Sequence, residues 1–363
     1  MPASILSSDL TGPVLVTGGG GFIGSNLLLT LAARHPELTF VNLDALTYAV
    51  VPATVDELAR SIPNYVFERA DIVDEAAVRA VVERHRPQLV LHLAAESHVD
   101  RSILEPRRFL ETNVMGTFNL LTACRDLWAG DPGVRFHHVS TDEVYGSLGD
   151  EGYFTETTPY SPRSPYSASK ASSDHLVRAF HETYALPVTI TNCSNNYGPR
   201  QHPEKLLPLM IHNAMARKPL PVYGDGLNVR DWLYVTDHVE AIWQVALRGR
   251  VGETYNVGGD AERTNLDVLK ALLDAVSERT GDDREELERL VAFVKDRPGH
   301  DRRYAIDATK LKTELGWRPT RSLEDGLRET VDWYVSNPGW VASARENGYD
   351  AWVQKQYVTE GRS

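Results

Sequence analysis

Cysteine is scarce in this chain. Only Cys124 and Cys193 occur among 363 residues. Two thiols exclude a disulfide framework, and both lie in apolar-rich segments where buried, inert thiols are expected. A basic excess is also missing: 38 Lys and Arg face 50 Asp and Glu, for a formal net charge of -12. That argues against a nucleic-acid surface, which needs clustered cations, but not against an anionic small substrate, which a few local arginines can hold. No apolar run approaches the ~20 residues that span a bilayer. The first eleven residues lack the basic and long apolar parts of a secretory signal, so a cytoplasmic location is expected. Metal-ligand spacing is absent too. His137 and His138 are neighbours on a predicted strand and point to opposite faces. His181 has no second histidine at the spacing of a zinc-binding helix. No catalytic metal, internal repeat or low-complexity segment is expected.

What is present fits a globular enzyme: 42% hydrophobic and 24% charged residues in a chain long enough for two lobes. Apolar strands are predicted at 13–17, 39–43, 65–68, 89–93, 135–140 and 188–192. Helices alternate with them at 22–34, 76–84, 106–127 and 166–184. Such alternation predicts an α/β fold with a parallel sheet covered on both faces. The rhythm changes after about residue 196, where Pro199, Pro203, Pro208, Pro219 and Pro221 interrupt it. The expected organisation is a first lobe over 12–195, with a return segment at 232–259, and a smaller mixed C-terminal lobe over 196–363 that binds substrate. Helices are predicted at 237–248, 266–279 and 323–335, and a strand at 253–257. The charged run 282–289 reads as a solvated face.

Gly18, Gly21 and Gly24 form Gly-x-x-Gly-x-x-Gly between the first predicted strand and helix. Glycines there permit a tight turn and let backbone N–H groups approach a pyrophosphate at a helix N-terminus. Asp44 follows Gly24 by twenty residues and ends the second strand. A carboxylate in that place accepts from a ribose 2′-hydroxyl and repels a 2′-phosphate, which favours NAD over NADP. The sheet is therefore expected to be a Rossmann-type, doubly wound one. Asp71 and Ile72 end the third strand, either against an adenine or as an ordinary strand end. Leu93, Ala94, Ala95 and Ser97 follow the fourth strand, where small residues admit a cofactor.

Thr141, Asp142 and Glu143 form the most specific cluster, followed by Tyr166 and Lys170. Tyr and Lys four apart share a helical face, and an ammonium there favours the phenolate. Two adjacent carboxylates add the acid and base that elimination of water requires. On a regular strand they point apart, so both reach one substrate only if the chain leaves the strand near Ser140. On the residues alone, a surface acidic turn remains the alternative. Arg230, Arg297 and Lys205 are candidate partners for a diphosphate, although Arg230 could pair with Asp231 instead. His300 either meets a ribose or caps a loop.

The glycine motif with Tyr-x-x-x-Lys resembles the extended short-chain dehydrogenase/reductase superfamily. Within it, His92-Leu-Ala-Ala-Glu-Ser-His-Val-Asp-Arg-Ser102, Ser140-Thr-Asp-Glu-Val-Tyr-Gly146 and Asn192-Cys-Ser-Asn-Asn-Tyr-Gly-Pro199 resemble the dTDP-glucose 4,6-dehydratases. So do Pro203-Glu-Lys-Leu206, Arg230-Asp-Trp-Leu-Tyr-Val235 and Asp296-Arg-Pro-Gly-His300. The match runs from about 13 to 340. It departs at Ala49-Val-Val-Pro52, where Ala-Gly-Asn is usual, and at Arg200-Gln-His202, where aromatics are frequent.

The resemblance implies an NAD site formed by Phe22, Ile23, Asp44, Ala45, Leu46, Thr47, Asp71, Ile72, Thr112, Tyr166, Lys170 and Asn196. It implies a nucleotide-sugar site formed by Ser97, Thr141, Asn195, Lys205, Leu206, Pro221, Val222, Tyr223, Arg230, Asn265, Asp296, Arg297, Pro298, Gly299 and His300. The reaction implied is C4 oxidation, loss of water across C5 and C6, and hydride return to C6. A homodimer is implied as well. The rival readings are a 4-epimerase, a dehydratase for UDP- or GDP-sugars and, from another class, a non-catalytic NAD-binding regulator.

Overall fold

The structure is a computed structural model that describes residues 10–296 and 301–344. Its strands are β1 (Val14–Thr17), β2 (Phe40–Asp44), β3 (Tyr65–Arg69), β4 (Leu89–His92), β5 (Arg135–Thr141) and β6 (Val188–Cys193), then β7 (Asn195–Tyr197), β8 (Leu220–Tyr223), β9 (Val229–Tyr234), β10 (Thr254–Val257), β11 (Glu262–Thr264) and β12 (Val291–Val294). Seven of them form one parallel sheet in the order β10-β6-β5-β4-β1-β2-β3. Every residue of β1, β2, β4, β5, β6 and β10 is buried, as in a parallel sheet with helices on both faces. Helices Glu75–His85, Thr117–Trp128 and Pro165–Tyr184 cover one face through Val78, Leu120 and Phe180. Helices Phe22–Arg34 and Val235–Arg248 cover the other through Leu27, Leu31, Ile242 and Trp243. The strand order reverses direction between β1 and β4, the switch point where such sheets open a crevice at the carboxyl ends of their strands.

The smaller lobe has its own core. Met210, Trp232, Leu269, Leu272, Leu327 and Val331 pack together beside a three-stranded mixed sheet, β11-β9-β7, and the parallel pair β12-β8. It is not one continuous stretch of chain. Val235–Arg248 and β10 return to the main sheet, and Leu311, Leu315 and Trp317 then pack against Tyr255 and Val257 of β10. Asp237 pins this last crossing. Its buried carboxylate accepts from the backbone N–H groups of Thr320 and Arg321, both at 3.0 Å, and from the Thr320 hydroxyl at 2.6 Å.

The predicted helix 106–127 is broken in the structure. Pro106–Phe109 is a short helix, Leu110–Gly116 a wider π-helical turn, and Thr117–Trp128 a regular helix. Apolar periodicity does not register one added residue per turn, which is why the sequence reads as a single helix. Two short helices, Pro52–Ser61 and Val99–Leu104, also lie outside the sequence reading. The charged run contains the helix Arg284–Glu288, whose Arg284 pairs with Asp274 and Glu288.

Asp237→Ala leaves two backbone donors without their acceptor. Chemical denaturation should show a loss of about 2–4 kcal/mol. A loss near zero would mean that water replaces the carboxylate.

Candidate active site

The glycine run folds as a turn that side chains would fill. Gly18 has φ +72°, and a Cβ there would sit 2.8 Å from Ala94 Cα. A Cβ on Gly24 would collide with the Gly18 carbonyl oxygen. The space so kept lies at the N-terminus of helix Phe22–Arg34, at the mouth of a cavity of about 620 Å³. Gly18, Gly21, Phe22, Ile23, Gly24, Asp44, Ala45, Thr47, Asp71, Ile72, Leu93, Ala94, Ala95, Ser97, Thr112, Tyr166, Lys170 and Asn196 all line that cavity. Leu46 does not. It has φ +54°, and its backbone N–H donates to Asp44 Oδ1 at 2.8 Å. Asp44 Oδ2 accepts from Gly20 N at 2.9 Å, tying the carboxylate to the glycine turn. Burial raises the Asp44 pKa against these two bonds. Each oxygen keeps a lone pair for a ribose hydroxyl. Asp71 is exposed and caps its own turn, accepting from Val73 N at 3.0 Å.

Buried polar clamps fix the loop after β4. Parallel register sets Thr17 beside His92. The His92 ring then bridges the hydroxyls of Thr17 (2.8 Å) and Thr117 (2.9 Å). Asn113, inside the π-helical turn, accepts from Glu96 N at 2.8 Å and donates to Glu96 O at 3.0 Å and Ser169 Oγ at 2.8 Å. One side chain thus joins the loop, the wide turn and helix Pro165–Tyr184. A π-turn beside a site is a recurring device.

β5 ends at Thr141, and the chain leaves the strand into a single 3₁₀ turn, Asp142–Tyr145. The Thr141 hydroxyl accepts from Glu143 N at 3.3 Å. Gly146 closes the turn at φ +92°. This geometry brings Thr141, Asp142 and Glu143 to the same cavity as Tyr166 and Lys170, so the carboxylates do not form a surface turn. Helix Pro165–Tyr184 presents the last two from a capping box, with Ser164 and Ser167 capping each other and Pro165 opening the first turn.

The environments of the two carboxylates differ. Asp142 is 2% exposed, and its Oδ2 has no hydrogen-bond partner among the described residues. Burial, then Glu143 and Asp231, raises its pKa well above the usual carboxylate range, with Arg230 opposing. Both effects favour its protonated form. Glu143 is only partly buried. Tyr166 differs from the sequence expectation. Its pKa is raised, first by burial and then by Glu143 and Cys193, while the Thr141 hydroxyl lowers it. The Lys170 amine is engaged elsewhere, donating to the Val139 carbonyl at 2.9 Å.

The expected sugar-nucleotide residues divide into two groups. Asn195 and Lys205 line the cavity, and Lys205 Nζ donates to the Ser97 carbonyl at 3.2 Å. Leu206 begins the helix Leu206–Met215 outside it. Pro221, Val222 and Tyr223 lie on β8, next to β12. The loop that follows brings in Asn265, whose N–H bonds Asn228 O at 3.0 Å, and Asp296, which sits against Gly224. Arg230 is buried. Its guanidinium bonds the carbonyls of Val229 (2.7 Å) and Asp301 (2.9 Å) and covers the Tyr304 ring at 4.3 Å. It does not take up Asp231, which accepts instead from Gly259 N and Ala261 N. Arg297, Pro298, Gly299 and His300 lie outside the described residues.

Sequence reasoning missed Glu96, Arg108, His202 and Glu204, which line the same cavity. Arg108 pairs with Glu96 at 2.7 Å. Arg101 pairs with the buried Glu204 at 3.1 Å and covers the Tyr48 ring at 3.7 Å. Glu204 stood in view between Pro203 and Lys205. A buried acid cannot be told from a surface one by sequence spacing. Among the described residues, no group of three or more His, Cys, Asp or Glu could hold a metal ion, and no helix is long and apolar enough to cross a membrane.

Comparison with known proteins supports the same chemistry. A family model described as GDP-mannose 4,6 dehydratase matches residues 15–330. A dTDP-glucose 4,6-dehydratase of Xanthomonas campestris is 56% identical over 92% of this chain and 96% of its own length. One of Neisseria meningitidis is 53% identical over 93% of this chain and 97% of its own. A solved dTDP-glucose 4,6-dehydratase of Streptomyces venezuelae, crystallised with NAD, superposes with a TM-score of 0.83. It is 46% identical over 92% of this chain and 99% of its own.

The Asp44 carboxylate should make NAD bind roughly tenfold or more tighter than NADP, since a 2′-phosphate would approach a fixed negative charge. Fluorescence titrations of wild type and Asp44→Ser check this. The variant should narrow the preference. Equal affinities in the wild type would remove Asp44 from this role.

Proposed function

The chain belongs to the dTDP-glucose 4,6-dehydratases, and we propose that Tyr166, Glu143 and Asp142 divide the proton transfers of that reaction among them. The reaction is the NAD-dependent loss of water from dTDP-glucose, giving dTDP-4-keto-6-deoxy-glucose. The observation that carries the division of roles is the pair of adjacent carboxylates in one cavity with Tyr166, one of them fully buried where its protonated form is favoured and the other partly open.

The cavity fits NAD. Its glycine turn leaves room at a helix N-terminus, and Asp44 stands where a ribose would lie. When bound there, NAD would supply a hydride acceptor for C4, the hydride source for C6 and a positively charged ring. Such a charge would offset the effects of burial and Glu143 on the Tyr166 hydroxyl. Tyr166, aided by the Thr141 hydroxyl, then accepts the C4 hydroxyl proton. The resulting 4-ketone acidifies C5, and Glu143 takes that proton. Asp142, already protonated, gives its proton to the departing C6 hydroxyl, which leaves as water. Lys170 acts as a cation near Tyr166. An epimerase needs no elimination acid, and a silent regulator needs none of the five residues.

We assign a homodimer to the chain through one helical face. Leu110, Met115 and Phe118 are exposed there, and Tyr184 lies near through its contact with Phe180. A second copy of this chain offers the matching apolar surface. A cytoplasmic location suits two buried free thiols and a nucleotide-sugar substrate.

With deuterium at C4 of dTDP-glucose, the label should appear at C6 of the product by NMR. Retention at C4 would reject the dehydratase route. Asp142→Asn and Glu143→Gln should each slow product formation by about 10²–10⁴ while still reducing bound NAD on mixing. The Asp142 variant should exchange the C5 proton with solvent faster than the Glu143 variant does. Equal exchange would refute the division of acid and base. Phe118→Asp with Met115→Asp should convert the protein to a monomer in sedimentation. An unchanged dimer would place the interface elsewhere.

A further inference from the structure

Helix Pro165–Tyr184 buries a further ionisable group that the dehydration chemistry does not touch. Tyr166, Lys170 and Asp174 follow at intervals of four and share one helical stripe. The Asp174 side chain has no exposure at all. A carboxylate in such a place persists only against strong partners. Its Oδ2 accepts from Ser140 Oγ at 2.9 Å and from Tyr160 OH at 2.8 Å. Its Oδ1 stands 3.2 Å from His138 Nε2. The Lys170 amine lies 3.5 Å from the same His138 nitrogen. The same imidazole nitrogen therefore neighbours both a buried amine and a buried carboxylate.

The other groups around this cluster are neutral or reach Asp174 at second hand. Burial first, and then Lys170, lowers the His138 pKa to about 4. The His92 ring, 5.1 Å from His138 on β4, is also held neutral by burial. Burial raises the Cys193 thiol on β6 to about 12. Tyr145 and Tyr160 are likewise pushed up by burial. Arg178 bonds the Tyr160 hydroxyl at 2.9 Å, and that hydroxyl serves Asp174. Of these groups, Asp174 alone sits where the negatively charged form is favoured. Its burial raises its pKa, but the His138 contact, the Lys170 charge and the Ser140 hydroxyl outweigh that and lower it on balance. For Lys170 the main effect is burial, which works against the ammonium, with Asp174 the first group to oppose it.

We propose that Asp174 is a positioning residue: its carboxylate holds the fully buried Lys170 in its ammonium form, the state that turnover requires. The inference rests on the reading above that Lys170 acts as a cation beside Tyr166. An activity that needs the ammonium falls as pH rises through the Lys170 pKa. Removing the negative charge lowers that pKa, so the alkaline limb moves to lower pH. A buried opposite charge sharing a neighbouring ring is worth about one to two pH units.

The test is the pH profile of kcat/KM for the NAD holoenzyme with dTDP-glucose. Asp174→Asn should move the alkaline limb down by about one to two units. Asp174→Glu keeps the charge and should leave the limb within about half a unit of wild type. His138→Gln removes a neutral ring and should also leave it there. A merely structural role would lower kcat in D174N without moving the limb, and that result overturns the proposal. If D174N does not fold, D174E carries the test, and a limb displaced there by a unit or more overturns it. Lys170→Met separates the two readings. A fully active K170M overturns the cationic role of Lys170 and this inference with it. An inactive K170M with an unmoved limb in D174N overturns only the role of Asp174.

Discussion

A carboxyl group buried just beyond the end of β5, with one oxygen unpartnered among the described residues, is the constraint on which the site depends. Left on a strand, Asp142 and Glu143 would face opposite sides of the sheet. The 3₁₀ turn that begins at Asp142 removes that conflict, and Thr141 holds the turn by accepting from Glu143 N. Burial then does chemical work, because it separates two residues of the same kind. Burial favours the protonated form of Asp142, while its neighbour remains partly open to the cavity. The parallel register of β5 with β6 puts Cys193 beside Thr141, so the wall behind the turn is a small uncharged side chain.

The same logic of buried polar contacts holds the cofactor half together. His92 joins β4 to β1 and to the helix Thr117–Trp128, and Asn113 joins the loop after β4 to two helical segments. These side chains carry no reacting atom. They fix the loop Leu93–Ser97 against the glycine turn, so the cavity walls are set by bonds that are costly to leave unmade. The π-helical turn supplies the position from which Asn113 reaches both Glu96 and Ser169. Asp237 plays a comparable part at a distance, holding the late segment around Thr320 to a helix of the main sheet. The smaller lobe is thereby kept in register with the strand ends that carry the chemistry.

Much of this was legible in the chain. Apolar runs bounded by glycine and acidic residues marked the central strands, because a strand buried on both faces must be apolar along its length. Gly18 and Gly24 were legible because close backbone approach tolerates little else, and Asp44 because it ends the second strand twenty residues after Gly24. Tyr166 and Lys170 were legible from helical spacing alone. Asp174, one further step along the same stripe, carried the same signal and went unread, because spacing does not reveal burial.

The sequence by itself determined the alternation of strands and helices up to about residue 192 and the glycine turn, since each of these is a local or periodic property. Only the tertiary structure decided that Asp142 is buried, that Arg230 rests on backbone carbonyls and the Tyr304 ring rather than on Asp231, and that Lys170 lies beside a histidine which also neighbours a buried carboxylate. Protonation and pairing depend on which distant segments exclude water from a group and which charges they bring near it. Those distances, between residues as far apart in sequence as Arg230 and Asp301, are set by folding.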